Sequence, residues 1–309
     1  MRRAFLTALA EIAERDPRVV LLTGDLGYLA LEPFRDRFPD RFYNVGVAEQ
    51  NMIGVSTGLA EAGFIPFAYS IATFAALRPF EFIRNGPVLH RLPVRIVGMG
   101  MGFEYGAQGP THHAVEDVGV LRTQPGLTVV VPADHAQAGA ALHATWNLPG
   151  PIYFSLGKDD RTTVPGLDGR FAPGALQVLR PANGGVGIVA MGSIAAEAAA
   201  AADLVASERG GCGFAVVSTF NPAPVDDLAA FLAQCAAVVT VEAHVVAGGL
   251  GAQVAEVIAE RGLRCQLRIQ AVRRSPDGES GSQPSLWRKH GLDRASVAAA
   301  ARELTTSPR

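Results

Sequence analysis

Two short runs carry the residue types most capable of chemistry. Glu49 lies in Tyr43-Asn44-Val45-Gly46-Val47-Ala48-Glu49-Gln50-Asn51-Met52-Ile53-Gly54, and a histidine pair lies in Gln108-Gly109-Pro110-Thr111-His112-His113-Ala114-Val115-Glu116-Asp117. A carboxylate in the first turn of a helix is favoured by the helix dipole and by free backbone N–H groups, so electrostatics alone explains an isolated Glu49. Small residues along the same helix, Gly54, Ser56, Thr57, Gly58 and Ala60, add a second signal, because they permit close approach of another backbone. His112, His113, Glu116 and Asp117 have the types of a metal site, but no third histidine has the right local spacing and zinc wants a closed ligand set. A histidine pair following a glycine loop, Gly98-Met99-Gly100-Met101-Gly102, at a strand's end sits where open α/β sheets place ligands. Gly248-Gly249-Leu250-Gly251 opens a helix whose N-terminus can take an anion. It matches neither the dinucleotide fingerprint nor a Walker loop, so helix–strand packing is expected there. Ile71 and Phe74, three apart, read from spacing alone as a core stripe.

The elements that must position these groups are legible as β-branched apolar runs alternating with helical patterns, the signature of parallel sheets wrapped by helices. In the first half the expected strands are Val19–Leu22, Phe64–Ala68, Val94–Val97, Thr128–Val131 and Pro151–Ser155. The expected helices are Ala4–Arg15, Glu49–Ala62, Phe74–Asn85 and Ala133–Thr145. Runs bounded by Gly, Pro and Asp are those of buried strands. From Gly157 to Gly185 the pattern gives way to turn residues such as Pro165-Gly166, Asp168-Gly169 and Pro173-Gly174. Beyond it come strands Gly187–Ala190, Phe214–Ser218, Val238–Val241 and Leu267–Ala271, and helices Ala195–Arg209 and Gly251–Arg261. The expected division is a first domain over 1–160, a linker over 161–185 and a second, smaller domain over 186–309. The fold class is α/β, two doubly wound domains with mostly parallel sheets.

Composition narrows the function classes. The 309 residues carry a net charge of −2 with both signs interspersed, which lacks the field of a nucleic-acid or anionic-membrane binder. Three scattered cysteines, Cys212, Cys235 and Cys265, fit a reducing cytosol better than a disulfide framework or a zinc site. The N-terminal segment is amphipathic rather than signal-like, and no apolar stretch is long enough to span a bilayer. A cytoplasmic enzyme of small molecules, with no nucleic-acid or membrane partner, is the expectation.

Four motifs in order carry a family resemblance: Val45-Gly46-Val47-Ala48-Glu49-Gln50-Asn51-Met52, Gly109-Pro110-Thr111-His112-His113, Val130-Val131-Pro132-Ala133-Asp134, and Thr240-Val241-Glu242-Ala243-His244 with Gly248-Gly249-Leu250-Gly251. From about residue 1 to 270 the chain resembles the C-terminal subunit of a split transketolase, a pyrimidine-binding domain followed by a transketolase C-terminal domain. The tail after Arg273 adds nothing to the resemblance.

The resemblance implies thiamine diphosphate and Mg²⁺ as cofactors and transfer of a two-carbon ketol unit from a ketose to an aldehyde. Glu49 would hydrogen-bond the pyrimidine N1′ and so favour the imino tautomer, by which the cofactor becomes its own base. Such a donor must hold a proton, which calls for a dry pocket. Phe74 would stack on the pyrimidine, Ile71 and Leu26 would line its pocket, and Asp25 falls at a family position near cofactor and interface. His112 would serve as proton-transfer group beside the substrate oxygen, with His113, Gln108, Arg2 and Lys158 as further substrate contacts. The family's Gly-Asp-Gly diphosphate and metal segment occurs nowhere in the chain. The resemblance therefore implies a separate N-terminal transketolase subunit that supplies most of the Mg²⁺ site, simplest as an α2β2 heterotetramer.

Several substrate positions depart from ordinary transketolase. Leu29 stands where a phosphate-contacting serine is common, Gly100 where a histidine is common and Gln108 where an aspartate is usual. Lys158 replaces an arginine, keeping charge but losing the bidentate fork, whereas Arg2 retains a family arginine. Each lost hydrogen bond to a charged group is worth roughly 1.5–3 kcal/mol, so an altered substrate in a specialised pathway is expected. The alternatives are a deoxyxylulose-phosphate synthase-like enzyme, the β subunit of a 2-oxo-acid dehydrogenase, and a non-catalytic scaffold subunit.

Overall fold

The computed structural model describes residues 1–274 and 278–306. Among these, twelve strands form two sheets, as the alternating apolar runs require. The strands are β1 (Val19–Thr23), β2 (Phe42–Asn44), β3 (Ile65–Ile71), β4 (Arg95–Met99), β5 (Thr128–Val130), β6 (Ile152–Leu156), β7 (Leu176–Arg180), β8 (Val186–Met191), β9 (Gly213–Val217), β10 (Thr219–Asn221), β11 (Ala237–Val245) and β12 (Gln266–Val272). The first sheet has the order β10-β5-β6-β4-β3-β1-β2 and the second β12-β11-β8-β9-β7. Each is parallel except for one edge strand: β10 runs antiparallel to β5, and β7 antiparallel to β9.

The central strands β1, β4 and β6 are buried along their whole length, as expected of strands covered by helices on both faces. The helix Arg2–Arg15 lays Phe5, Leu9 and Ile12 on this core, with Phe5 meeting Phe154 edge-on at 5.2 Å. Around the second sheet, Ile188, Val216 and Val239 meet the alanine-rich helix Ala195–Arg209, whose small side chains let it lie close. Cys212, Cys235 and Cys265 are buried and unbridged. No helix among the described residues is long and apolar enough to cross a membrane.

Three features depart from the expected element pattern, each for a physical reason. The single helix expected over Phe74–Asn85 is broken into Ala72–Leu77 and Phe80–Ile83, followed by a wide turn over Arg84–Val88. Pro79 has no N–H to continue the first segment, and Pro87 interrupts the last. Two short edge strands, β2 and β10, have too few residues to show a period. Leu176–Arg180, within the stretch expected as a linker, is an edge strand of the second sheet.

The two sheets are tied to each other. Strand β10 comes from the second half of the chain and pairs with β5 of the first sheet. His244 Nε2 accepts from the Gly119 N–H at 3.0 Å, while its Nδ1–H donates to the Val245 carbonyl at 2.6 Å. Arg122 donates to the Gly248 carbonyl and to Gln253 and Glu256. The glycine loop of the second domain proves to be a packing device. Leu250 and Gly251 donate their N–H groups to the buried Glu242 at 2.6 and 2.8 Å, so the chain's own carboxylate occupies this helix N-terminus. A Cβ at Gly251 would come within 2.5 Å of Ile269.

Candidate active site

The candidate site lies at the C-terminal ends of β1, β3 and β4, the edge at which parallel sheets present loops to ligands. Glu49 opens the helix Glu49–Glu61 and is only 2 % exposed. Its Oε1 accepts from Ser70 Oγ, near the end of β3, at 3.2 Å, and its Oε2 pairs with Arg78 Nη1 at 3.0 Å. Gly24, just after β1, makes room beside it: an added Cβ there would sit 3.3 Å from the Gly46 carbonyl oxygen and 3.7 Å from Glu49 Oε1.

Phe74 lies on the short helix after β3, and His112 ends a helical turn in the loop after β4. Their rings meet edge-to-face at 5.1 Å, so residues far apart in sequence converge at one place. Thr111 Oγ1 lies 3.0 Å from His112 Nδ1. Arg78 spans the site, its Cζ 3.9 Å over the Phe74 ring while its Nη1 holds Glu49. The half-exposed guanidinium thus bridges Glu49 and Phe74.

The other expected residues are placed around this centre. Asp25 has a left-handed backbone, φ 57°, and is locked to Asn44: its N–H donates to Asn44 Oδ1 at 3.0 Å and its Oδ1 accepts from Asn44 Nδ2 at 2.9 Å. Tyr28 donates to the same carboxylate, which raises the Tyr28 pKa. Leu26 packs half-buried on the first core, and Ile71 ends β3 immediately before the helix of Phe74. Gln108 is exposed on the loop ahead of Gly109, whose φ of 81° suits only glycine. Arg2 lines a separate stretch of cleft with Arg3, Leu29, Pro33 and Arg37. Lys158, after β6, holds its Nζ 4.1 Å from the Tyr105 ring centroid.

His113 turns away from His112. It is buried, edge-on to Phe103 at 5.1 Å, in a small cavity with Val272, Leu286 and His290. Burial, with His290 nearby, holds its pKa below the ordinary histidine value. Neighbours in sequence, the two histidines thus serve different surroundings.

Three residues of the cleft carry no motif signal: Ser70, Arg78 and Tyr105. Arg78 follows Phe74 by four positions, and the helical spacing that brings such pairs together is the one sequence cue to it. Among the described residues no group of three or more His, Cys, Asp or Glu side chains is arranged to hold a metal ion.

The model for the transketolase pyrimidine-binding domain matches residues 1–162, and that for the transketolase C-terminal domain matches residues 174–297. A 6-deoxy-6-sulfo-D-fructose transketolase subunit from Clostridium sp. strain MSTE9 is 35% identical over 99% of this chain and 94% of its own length. A subunit of an apulose-4-phosphate transketolase from Actinobacillus succinogenes is 32% identical over 86% of each chain. Among solved structures, a split-gene transketolase described as an inactive beta4 tetramer superposes with a TM-score of 0.88 at 36% identity, covering 100% of this chain and 98% of that one. Two domain models matched in order over most of the chain, with a transketolase subunit 35% identical to it, show that the chain belongs to the transketolase family.

Proposed function

We propose that this chain is the C-terminal subunit of a two-chain, thiamine diphosphate-dependent transketolase that moves a two-carbon ketol unit from a ketose donor to an aldehyde acceptor. The observation that carries the reading is the convergence of buried Glu49 with Phe74 and His112 at the strand ends. The residues fit an aminopyrimidine: an acidic side chain below, an aromatic face beside it, and a glycine, Gly24, where a side chain would crowd the carboxylate.

Thiamine diphosphate, when bound, supplies the electron sink for breaking and making the carbon–carbon bond. Glu49 would hydrogen-bond the pyrimidine nitrogen, with Ser70 donating to its Oε1 at 3.2 Å to orient the carboxyl group. Phe74 presents the ring face for stacking once Arg78 has swung out of the cleft. His112, edge-on to Phe74, passes a proton to and from the substrate oxygen. Arg2 and Lys158 hold the far, anionic end of the sugar. The diphosphate and Mg²⁺ belong to an N-terminal partner chain, since the Gly-Asp-Gly segment is absent from this sequence. An α2β2 heterotetramer in the cytoplasm is the simplest assembly.

A substrate other than the common pentose phosphates is supported by Leu29, Gly100 and Gln108 at positions where the family commonly carries polar contacts. It is also supported by relatives named for 6-deoxy-6-sulfofructose and apulose 4-phosphate. Deoxyxylulose-phosphate synthases are also similar, one at 34% identity, but this chain spans 47% of its length. Co-expression with a partner bearing the Gly-Asp-Gly segment tests the reading. The pair is expected to transfer ketol units, and the lone chain to show no turnover with added thiamine diphosphate and Mg²⁺. Turnover by the lone chain overturns the split site, and turnover of pyruvate in place of a ketose overturns the transketolase assignment.

A further inference from the structure

From Phe74 side chains follow one another in contact. His112 lies 5.1 Å from Phe74, Tyr105 lies 6.3 Å beyond His112, and Lys158 Nζ lies 4.1 Å from the Tyr105 centroid. Lys158 Nζ also donates to the Glu104 carbonyl at 3.5 Å and makes no ion pair with a carboxylate among the described residues, so a cation stands at the far end of this line.

The Tyr105 ring occupies space that only a glycine at position 100 leaves open. Gly100 has φ 88°, and a Cβ there would lie 2.2 Å from Tyr105 Cε2 and 2.3 Å from Cδ2. A side chain at 100 and the present ring position exclude one another. The ring also supports the ammonium of Lys158 against its face, an interaction that steadies a cation without neutralising it.

The geometry points to Tyr105 as a specificity-determining residue, whose ring face reads the substrate carbons between a carbonyl at His112 and an anionic end at Lys158. This rests on the proposed transketolase reading. An aromatic face selects by contact with the carbon chain and by its hold on Lys158, and a substrate too short to pass the ring is indifferent to it.

The test uses the complex reconstituted with the N-terminal partner, with hydroxypyruvate as donor. Its acceptors are glycolaldehyde, glyceraldehyde and glyceraldehyde 3-phosphate. Tyr105→Leu is expected to raise KM for glyceraldehyde 3-phosphate about tenfold while changing glycolaldehyde less than about threefold. Tyr105→Phe keeps the face and is expected to retain the wild-type ranking. Gly100→Ala, checked for folding by thermal denaturation, should displace the ring and reproduce the Leu pattern. An equal loss on all three acceptors, or no change on any, overturns the inference while leaving the transketolase reading intact. Absence of ketol transfer by the wild-type complex overturns both.

Discussion

Glu49 and Glu242 are both buried carboxylates set at helix N-termini, 2 % and 0 % exposed, yet they are held in opposite ways. Glu242 is fixed by backbone: the Leu250 and Gly251 N–H groups donate to its two oxygens, and Gly249 packs so tightly that a Cβ there would meet Glu242 Oε2 at 2.0 Å. Glu49 is held by side chains from other elements, Ser70 and the half-exposed Arg78. A carboxylate whose partners are main-chain amides cannot be released without unwinding a helix. One whose partner is a long, solvent-reaching cation is released by a rotamer change. The contrast separates a carboxylate fixed by backbone from the one the proposed function makes catalytic, and substitution should move different observables at the two sites.

The largest expected effect is on turnover. Glu49→Gln in the reconstituted pair should lower kcat by about 10² to 10⁴, the usual range for a lost acid–base group. Its thermal midpoint should stay close to wild type. Near-wild-type kcat in Glu49→Gln would remove the catalytic half of the contrast.

Glu242 should answer in stability instead. Glu242→Ala leaves two buried N–H groups without acceptors and is expected to cost about 2 kcal/mol in urea unfolding, with activity per folded molecule retained. Its titration gives a finer test. Burial outweighs the two backbone donors and pushes the Glu242 pKa up from 4.5 to about 8. The folded chain therefore keeps a proton that the unfolded chain has released, so stability from this group is full below about 4.5 and lost as pH rises through about 8. Glu104, raised to about 7 by burial, adds to the same fall. Because Glu104 is common to both proteins, the difference between wild type and Glu242→Gln isolates Glu242. The variant should lose less stability than wild type between pH 5 and pH 8.5, and parallel curves would contradict the burial argument.

Phe74→Ala is expected to weaken thiamine diphosphate binding by the pair about tenfold, the scale of one lost aromatic stack. Titration of cofactor-dependent activity measures it, and unchanged affinity would place the pyrimidine elsewhere.

What the sequence made legible follows the same division. Glu49 and the His112 loop stood out because their motifs are local, and buried strands such as β1, β4 and β6 announced themselves by apolar runs bounded by turn residues. Arg78 and Ser70 were silent because their roles arise from convergence on Glu49 across 29 and 21 positions of sequence, which no local pattern records. His112 and His113 show the limit of adjacency, since a single residue of extended backbone at His113 sends its ring into the wall behind the cleft. The helix expected over Phe74–Asn85 ran through Pro79, whose missing N–H breaks it.

The smallest expected effect probes Arg78 directly. In the lone chain it neutralises Glu49 and covers Phe74, so Arg78→Met should destabilise that chain by about 1 kcal/mol, a modest figure because the guanidinium is 45% exposed. On the proposed function, bound thiamine diphosphate takes that place in the complex, so with the partner and saturating cofactor the same substitution should cost less than in the lone chain. Paired melting curves of wild type and variant, with and without partner and cofactor, read this difference. A penalty undiminished by cofactor would mean that Arg78 holds Glu49 in both states. Glu49 would then be as permanently fixed as Glu242, and the distinction between a carboxylate held by backbone and one held by a releasable cation would fail.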